Sequence, residues 1–174
     1  VYIYPAKSNY LGGDIISGMM ATGIYKKEKI NAFFDIGTNG ELVLGNRDFL
    51  LCGAGAAGPA LEGGVVKTGM RAMEGAVDRV KLEDGELHCH MIGETTAKGI
   101  CGSGIVDLLA ELFLHEWIDI RGILQPEKSQ WIVERDGILA VQYAPGLYFY
   151  QSDIEEFIRT KAAAYTMVAI MLRE

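Results

Sequence analysis

The sequence predicts an α/β domain in which an antiparallel three-stranded meander, part of a mixed sheet, is covered by helices. The first observation is a series of three apolar runs, at 32–36, 41–44 and 49–52, joined by "TNG" and "NRD". Connections this short join antiparallel neighbours, because a parallel crossover needs about a dozen residues or more. The second observation is a set of longer patterns with apolar residues three and four positions apart, which is typical of helices.

Length and composition limit the class of protein and the kinds of partner that are possible. A chain of 174 residues with 49% hydrophobic and 22% charged residues fits one globular domain with a sizeable core. The net charge of −7, without a cluster of Lys and Arg, argues against binding to nucleic acid or to an anionic membrane surface. The cysteines, Cys52, Cys89 and Cys101, lack the spacing of an iron–sulfur or zinc motif. They predict buried thiols in a reduced, cytoplasmic compartment.

Both ends of the sequence predict that 1–174 is a single domain cut from a larger one. Val1 is followed at once by a strand pattern, Tyr2–Tyr4, and the last helical pattern runs to Glu174 without a C-cap signal. The apolar segment 162–172 is too short for a membrane helix, which needs about 20 residues. We therefore expect some functional parts to lie outside this chain.

Three elements are predicted around the meander. Before it, 14–22 is a helical pattern with Asp14 as the predicted N-cap and Gly23 as the residue that ends the helix. After it, "AAGPALEGGVVKTG" predicts a helix with Pro59 at its first position, where proline is well tolerated. Apolar runs at 77–82 and 86–92 flank "EDG", which predicts a second hairpin.

Two helices are predicted in the C-terminal half. "GICGSG" precedes an apolar stripe that predicts a helix capped by Ser103. Residues 119–151 are predicted to be irregular, with short strands near 131–133 and 139–141. The final helix is predicted to open with a capping box, because Ser152 and Glu155 stand three residues apart.

The sequence "DIGTNG", residues 35–40, supports two interpretations. Asn39-Gly40 would suit a type I′ hairpin turn, which requires two positive φ angles. That interpretation does not explain Asp35, a carboxylate at the end of an apolar strand, where an unpaired charge is costly. In the second interpretation, a phosphate-binding loop, Asp35 holds Mg²⁺ directly or through its waters. Gly37 and Gly40 then let backbone N–H groups approach phosphate oxygens.

The remaining residues of this loop and two other glycine-rich segments complete the predicted site. The side chains of Thr38 and Asn39 can also donate to phosphate. In "AAGPALEGG", Gly58 would allow close approach and Glu62 could reach a ribose hydroxyl, although a purely structural loop explains this segment equally well. Gly102 and Ser103 precede a helix whose N-terminus attracts anions, with an ordinary cap and tight packing as the alternative.

Several motifs, in order along nearly the whole chain, resemble one protein family. They are "DIGTNGE", "AAGPALEG", "GMRAMEGAVDRV", "GICGSGIVDLLAEL" and "DIEEFIRTKAA". They are similar to the C-terminal actin-like ATPase region of the reductive activators of corrinoid proteins. That region belongs to the superfamily of acetate and sugar kinases, heat-shock ATPases and actin. The resemblance implies that this chain contains a ribonuclease-H-like subdomain, one of two related halves that bind ATP and Mg²⁺ in the cleft between them.

The resemblance also implies a function and partners. In this family a 2Fe–2S ferredoxin module supplies electrons, and ATP drives a low-potential electron onto the cobalt of a corrinoid protein, which returns Co(II) to Co(I). Each half of the ATPase offers a D-x-G-T hairpin to the phosphates, and "DIGTNGE" resembles the second. The ferredoxin, the first hairpin and the adenosine loop are then expected outside 1–174. The expected partners are a corrinoid iron–sulfur protein or the corrinoid subunit of a methyltransferase, and a second copy in a homodimer.

Two other interpretations stay open. Activators of 2-hydroxyacyl-CoA dehydratases also couple an actin-like ATPase to electron delivery, but cysteines of the ATPase hold their cluster, and the cysteines here are isolated. The other alternative is a non-catalytic actin-like module for dimerisation or docking. Partner binding by such a module would be insensitive to changes in the phosphate loop.

Overall fold

The chain folds into two compact units. A computed structural model describes residues 3–7, 9, 11–37, 39–55, 60 and 64–173. Unit 1 comprises Val1–Gly58 and Thr160–Glu174, and unit 2 comprises Pro59–Arg159. The last helix, α3, spans Gln151–Met171 and contributes residues to both units.

Unit 1 is built on the predicted meander. Strands β1 (Asn31–Ile36), β2 (Gly40–Gly45) and β3 (Leu50–Gly55) form an antiparallel sheet in the order β1-β2-β3. This confirms the meander that the short connections predicted. The adjacent residues Leu42 and Val43 are only 4% and 0% exposed, so the central strand β2 is buried on both faces.

A helix covers each face of this sheet. Helix α1 (Gly13–Thr22) packs on one face, where Ile15 joins a cluster with Val43. The C-terminal part of α3 packs on the other face, where Met167 meets Leu42. The sheet is therefore the middle layer of unit 1, as an α/β arrangement requires.

Unit 2 contains two further sheets. Strand β4 (Ala76–Glu83) pairs antiparallel with β5 (Glu86–Met91) and parallel with β6 (Gly99–Ile100), which gives a mixed sheet. The predicted 77–92 hairpin is confirmed. Strands β7 (Ile132–Arg135), β8 (Ile138–Ala144) and β9 (Leu147–Tyr150) form a second antiparallel meander.

The short strands predicted near 131–133 and 139–141 are confirmed as parts of β7 and β8, but β9 corrects the prediction that the rest of 119–151 is irregular. Val141 and Phe149 oppose each other across β8 and β9, and both are completely buried. The sheet is stabilised by packing into the core of unit 2, which involves residues far apart in sequence. Period-two patterning in such short strands is too weak a signal to reveal this.

Helix α2 (Gly102–Leu114) packs directly on β4. Gly104 permits this close approach, because a Cβ there would lie 2.2 Å from the Val77 carbonyl oxygen. Ile105, Leu108 and Leu112 are completely buried in the core of unit 2. A side chain larger than hydrogen at position 104 would therefore push the helix off the sheet.

Two acidic side chains of α2 bind the backbone of β4. The Val80 N–H donates to Asp107 Oδ2 at 3.3 Å, and the Leu82 N–H donates to Glu111 Oε2 at 3.1 Å. Lys81 also donates to Glu111 Oε1 at 3.0 Å. Since β6 pairs only with the start of β4, these carboxylates satisfy strand donors that would otherwise lack partners.

The predicted caps of the first two helices are corrected. Helix α1 begins at Gly13 with Gly12 as its N-cap, so Asp14 lies inside the first turn. The C-cap is confirmed: Gly23 has a φ of 65° and donates its N–H to the Met19 carbonyl. Helix α2 begins at Gly102 with Cys101 as its N-cap, because the Cys101 N–H is still bonded to the Val77 carbonyl of β4. Ser103 is therefore not the cap.

The prediction of a capping box at the start of the last helix is also wrong. Helix α3 begins at Gln151, directly after β9, which places Ser152 within the helix. Asp153 performs a comparable role, because its Oδ2 accepts the Tyr150 N–H at 2.9 Å. The strand that precedes the helix thus determines where it starts.

Three other predictions concern isolated segments. Ile3 and Tyr4 are coil rather than strand, Ile3 is 82% exposed, and Tyr2 lies outside the described residues. In the predicted Pro59 helix, residues 56–59 and 61–63 also lie outside them, and 64–68 consists of bends and a turn rather than a helix. The cysteines are free, but Cys52 is exposed, so the prediction of three buried thiols is wrong. Among the described residues, no helix is long and apolar enough to cross a membrane.

Candidate phosphate-binding site

The loop between β1 and β2 forms the candidate site. The last ladder pair is Ile36 with Gly40, and the pair before it is Asp35 with Glu41. The Gly37 N–H donates to the Asn39 carbonyl at 2.9 Å and closes the loop. Thr38, at the centre of the predicted site, lies outside the described residues.

The loop is not a type I′ turn. Gly40 does not have the positive φ angle that this turn requires at its second central position. Gly40 already belongs to β2, and a Cβ there would lie 3.3 Å from the ring of Phe34. Glycine at position 40 therefore leaves room for the Phe34 ring, in addition to any role in admitting a ligand.

Two opposed carboxylates flank this loop, and a third, on α1, acts electrostatically on one of them. Strand side chains alternate, so Asp35 and Glu41 share the sheet face of Phe33 and Val43, on which α1 packs. Burial raises the pKa of Glu41, and the carboxylates of Asp35 and of Asp14, in the first turn of α1, raise it further. Negative charge is therefore concentrated where β1 ends.

No basic side chain neutralises this charge within the described part of the chain. The salt bridges there include none with Asp14, Asp35 or Glu41. A hydrogen bond from the Asn39 side chain lowers the pKa of Glu41 and partly offsets the causes that raise it. No three His, Cys, Asp or Glu side chains of the described residues are grouped to ligate one metal ion.

The sequence interpretation identified Asp35 but missed Asp14 and Glu41. Glu41 could have been found, because residues at equal distances from the centre of a hairpin loop oppose each other in the ladder. Asp14 gave no such signal, since it stands 21 positions before Asp35 and reaches the loop only because α1 packs on the sheet.

The other predicted site residues are elsewhere. Gly58 and Glu62 lie outside the described residues. Gly102 and Ser103 begin α2 and belong to unit 2, whereas the β1–β2 loop belongs to unit 1. Ser103 is exposed, and its Oγ lies 3.4 Å from the Cys101 Sγ.

The helix-covered meander with its D-x-G-T loop defines the class of protein: an actin-like α/β domain of the superfamily of acetate and sugar kinases, heat-shock ATPases and actin (ASKHA). Over residues 29–174 the chain matches the family described as the C-terminal domain of RACo, the ASKHA domain, and it belongs to that family. The resemblance identified from the sequence motifs is confirmed.

Individual relatives agree with this assignment. The corrinoid activation enzyme RamQ of Eubacterium limosum is 32% identical over 182 aligned residues, which cover 95% of this chain. A Methanosarcina barkeri reductase of a Co(II) methylated amine-specific corrinoid protein is 34% identical over 83 residues, or 48% of this chain and 15% of that protein.

A solved structure agrees as well. A reductive activator for corrinoid, iron–sulfur protein matches 99% of this chain with a TM-score of 0.91 and 40% identity. The chain spans 29% of that protein and 30% of RamQ. The similarity therefore covers nearly all of this chain but under a third of either relative.

Proposed function

We propose that this chain is the ATP-binding and ATPase module of a protein that reductively reactivates corrinoid proteins. In this proposal, ATP use drives an electron from a 2Fe–2S ferredoxin module onto cobalt and returns Co(II) to Co(I). The names of the relatives support a corrinoid protein as partner, either a corrinoid iron–sulfur protein or a methyltransferase corrinoid subunit. The proposed assembly is a homodimer in the cytoplasm.

The observation that carries the proposal is the uncompensated charge beside the glycine loop. Asp35 is half-buried at the end of β1, opposite Glu41, and neither forms a salt bridge with another described residue. Hard cations such as Mg²⁺ prefer carboxylate and water oxygens, so this donor set fits Mg²⁺ with a nucleotide. Bound Mg-ATP would supply the free energy that makes the uphill electron transfer possible.

Each loop residue has a proposed role. Asp35 holds Mg²⁺ through its waters, because Mg²⁺ keeps several waters and takes few carboxylates. Thr38 and Asn39 donate to the phosphates, and Gly37 and Gly40 keep the backbone accessible to them. Away from this loop, Gly58, Glu62, Gly102 and Ser103 are proposed to contact the nucleotide in the complete cleft.

The direct test measures reduction of a Co(II) corrinoid protein by absorbance, using the activator at its full natural length. Reduction to Co(I) should require Mg-ATP, and Asp35→Ala should slow it at least tenfold by removing the carboxylate that holds the cation. Asp48→Asn, in the exposed β2–β3 turn, is the matched control and should behave as wild type. Reduction that proceeds equally without ATP, with partner binding unaffected by Asp35→Ala, would indicate a docking module instead.

A further inference from the structure

The outward face of helix α2 is apolar. A helix that covers a sheet normally buries one apolar stripe and presents charged side chains to water. In α2, Val106 is 45% exposed, Phe113 52% and Leu114 72%, and Ala110 is exposed as well. Spacings of three and four positions keep these four side chains on one side of the helix, and we call them the outer stripe of α2. A helix that is apolar on both sides is typical of an element buried between two layers.

The charged residues of α2 do not contribute to this face. Gly102–Leu114 contains only two of them, Asp107 and Glu111. Both carboxylates accept backbone N–H groups of β4, and Glu111 is only 7% exposed. The outer stripe therefore carries no charge, and the packing of α2 on β4 gives no reason for apolar side chains there.

The spacing of the outer stripe makes it complementary to itself. Val106, Ala110 and Leu114 follow one another at four-residue intervals and form a single ridge with the smallest side chain at its centre. In an antiparallel pair of α2 helices with a twofold axis beside Ala110, Val106 of each copy lies next to Leu114 of the other. A twofold dimer requires such a self-complementary patch. Each positive helix N-terminus then also lies near a negative C-terminus.

Charge favours the same occupant. The chain has a net charge of −7, so two copies repel each other unless the surface between them is uncharged. The outer stripe meets this condition. Two positions beyond Leu114, Glu116 forms an exposed salt bridge with Lys128 at 2.8 Å, which suits the polar rim of an interface.

We propose that the outer stripe of α2 is the surface through which two copies of this protein associate. The inference rests on the proposed function, because it names the contact that forms the proposed homodimer. A standard interface buries about 800 Å² per partner, so four side chains form its apolar centre and the polar groups around them form the rest.

The test measures the dimer dissociation constant of the full-length protein by analytical ultracentrifugation. Ala110→Arg should raise this Kd at least about a hundredfold, because it buries an unpaired charge at the centre of the interface. Arginine is a good helix former and position 110 is exposed, so urea unfolding should show an unchanged stability.

A charge pair identifies what covers the outer stripe. Val106→Glu and Leu114→Lys should each raise the Kd about a hundredfold. Combined in one chain, they should restore it to within about tenfold of wild type, because the new carboxylate of each copy faces the new ammonium group of the other. The two positions lie about 12 Å apart along one helix, too far to pair within it. Val65→Glu is the matched control, since Val65 is 43% exposed, and it should leave the Kd unchanged.

The inference is overturned if Ala110→Arg dimerises as wild type does, or if the combined variant fails to recover. A stripe covered by another segment of the same chain would give that result, with Ala110→Arg lowering the folding stability instead. A monomeric wild type would refute both the inference and the proposed homodimer. The ATP-dependent activity is judged separately, by the effect of Asp35→Ala on reduction of the Co(II) corrinoid protein, and it survives the failure of this inference if that effect is found.

Discussion

Two hairpins in this chain carry opposed carboxylates next to their tips, and they differ in burial: Glu83 and Glu86 are exposed, whereas Asp35 and Glu41 are half-buried. In the β4–β5 hairpin, Glu83 opposes Glu86 across a turn formed by Asp84 and Gly85. Both turn residues have positive φ, 51° and 79°, as a type I′ turn requires. In the β1–β2 hairpin, Asp35 opposes Glu41 across a longer loop that is not of this type.

The acidic groups around β4 have partners within the protein. Asp78 contacts the Nδ1 of His90 at 2.5 Å, a hydrogen bond that lowers the pKa of Asp78. Glu111 accepts from Lys81 and from the Leu82 N–H. The carboxylates of the β1–β2 hairpin have no comparable cation among the described residues. Water solvates the exposed acids at the tip of the second hairpin, whereas the half-buried acids of the first hairpin are left without a cation in the described part of the chain.

The largest expected effect concerns whether the β4–β5 hairpin can act as a second phosphate clamp. We expect that the β4–β5 hairpin does not bind phosphate. The 174-residue chain by itself should then bind Mg-ATP with millimolar affinity at best and show no ATPase activity. A single loop offers a few contacts of about 1 kcal/mol each, and millimolar affinity already needs about −4 kcal/mol. Calorimetry on the chain, with circular dichroism to verify folding, is the measurement. Micromolar binding would contradict our view of the second hairpin.

Asp35→Ala in the full-length protein should produce the next largest effect. Loss of one charge-assisted contact should cost about 1.5–3 kcal/mol, or one to two decades in Mg-ATP affinity. The free energy of unfolding should change little, since Asp35 makes no salt bridge within the described residues. Parallel titration and urea unfolding measure the two quantities. Normal ATP turnover by folded Asp35→Ala protein would contradict the assignment of nucleotide binding to the β1–β2 hairpin.

Glu111→Gln should show the opposite behaviour, with a loss of stability and unchanged nucleotide affinity. Burial opposes ionisation of Glu111, but hydrogen bonds from Lys81 and Leu82 prevail and lower its pKa. The stability from ionised Glu111 is therefore present above its unfolded pKa of about 4.3 and lost as pH falls through the folded value. We expect a loss of about 1–2 kcal/mol at pH 7 and a weaker dependence of stability on pH below about 5.

Urea unfolding of wild type and Glu111→Gln between pH 3 and 8 measures this dependence. Glu134→Gln, an exposed residue on β7, is the matched control and should leave the pH profile unchanged. Identical profiles for wild type and Glu111→Gln would show that the contact between α2 and β4 is not electrostatic in origin.

Gly85→Ala tests the turn of the second hairpin. Gly85 has a φ of 79° with open space around its Cβ position, so the cost is backbone strain of roughly 1–2 kcal/mol. Thermal unfolding should show this loss, while the Kd for Mg-ATP stays at the wild-type value. A variant as stable as wild type would mean that the turn relaxes to another conformation.

The smallest expected effect is that of Thr38→Val at the tip of the first loop. Removing one neutral hydroxyl donor should weaken Mg-ATP binding severalfold, less than Asp35→Ala, because neutral hydrogen bonds contribute about 1 kcal/mol. Val preserves the shape of Thr, so unfolding should be unaffected. A loss larger than that of Asp35→Ala would reverse the assigned importance of the two residues.

The sequence by itself determined the features that depend on neighbours along the chain. The short connections predicted the first meander, "EDG" predicted the second hairpin, and Gly23 predicted the end of α1. In each case local sterics or hydrogen bonding within a few residues fixes the conformation. Asp35 could be singled out for the same reason, because an acid that ends an apolar strand conflicts with its immediate surroundings.

Only the tertiary structure decided the features that depend on distant partners. Asp14 reaches the loop because α1 packs on the meander, and α2 starts at Gly102 because Cys101 is still bonded to β4. The β7–β9 sheet forms because its apolar residues complete the core of unit 2. Burial and pairing between residues far apart in sequence outweigh capping and strand propensities, which contribute only about 1 kcal/mol each, and so they overrule local signals.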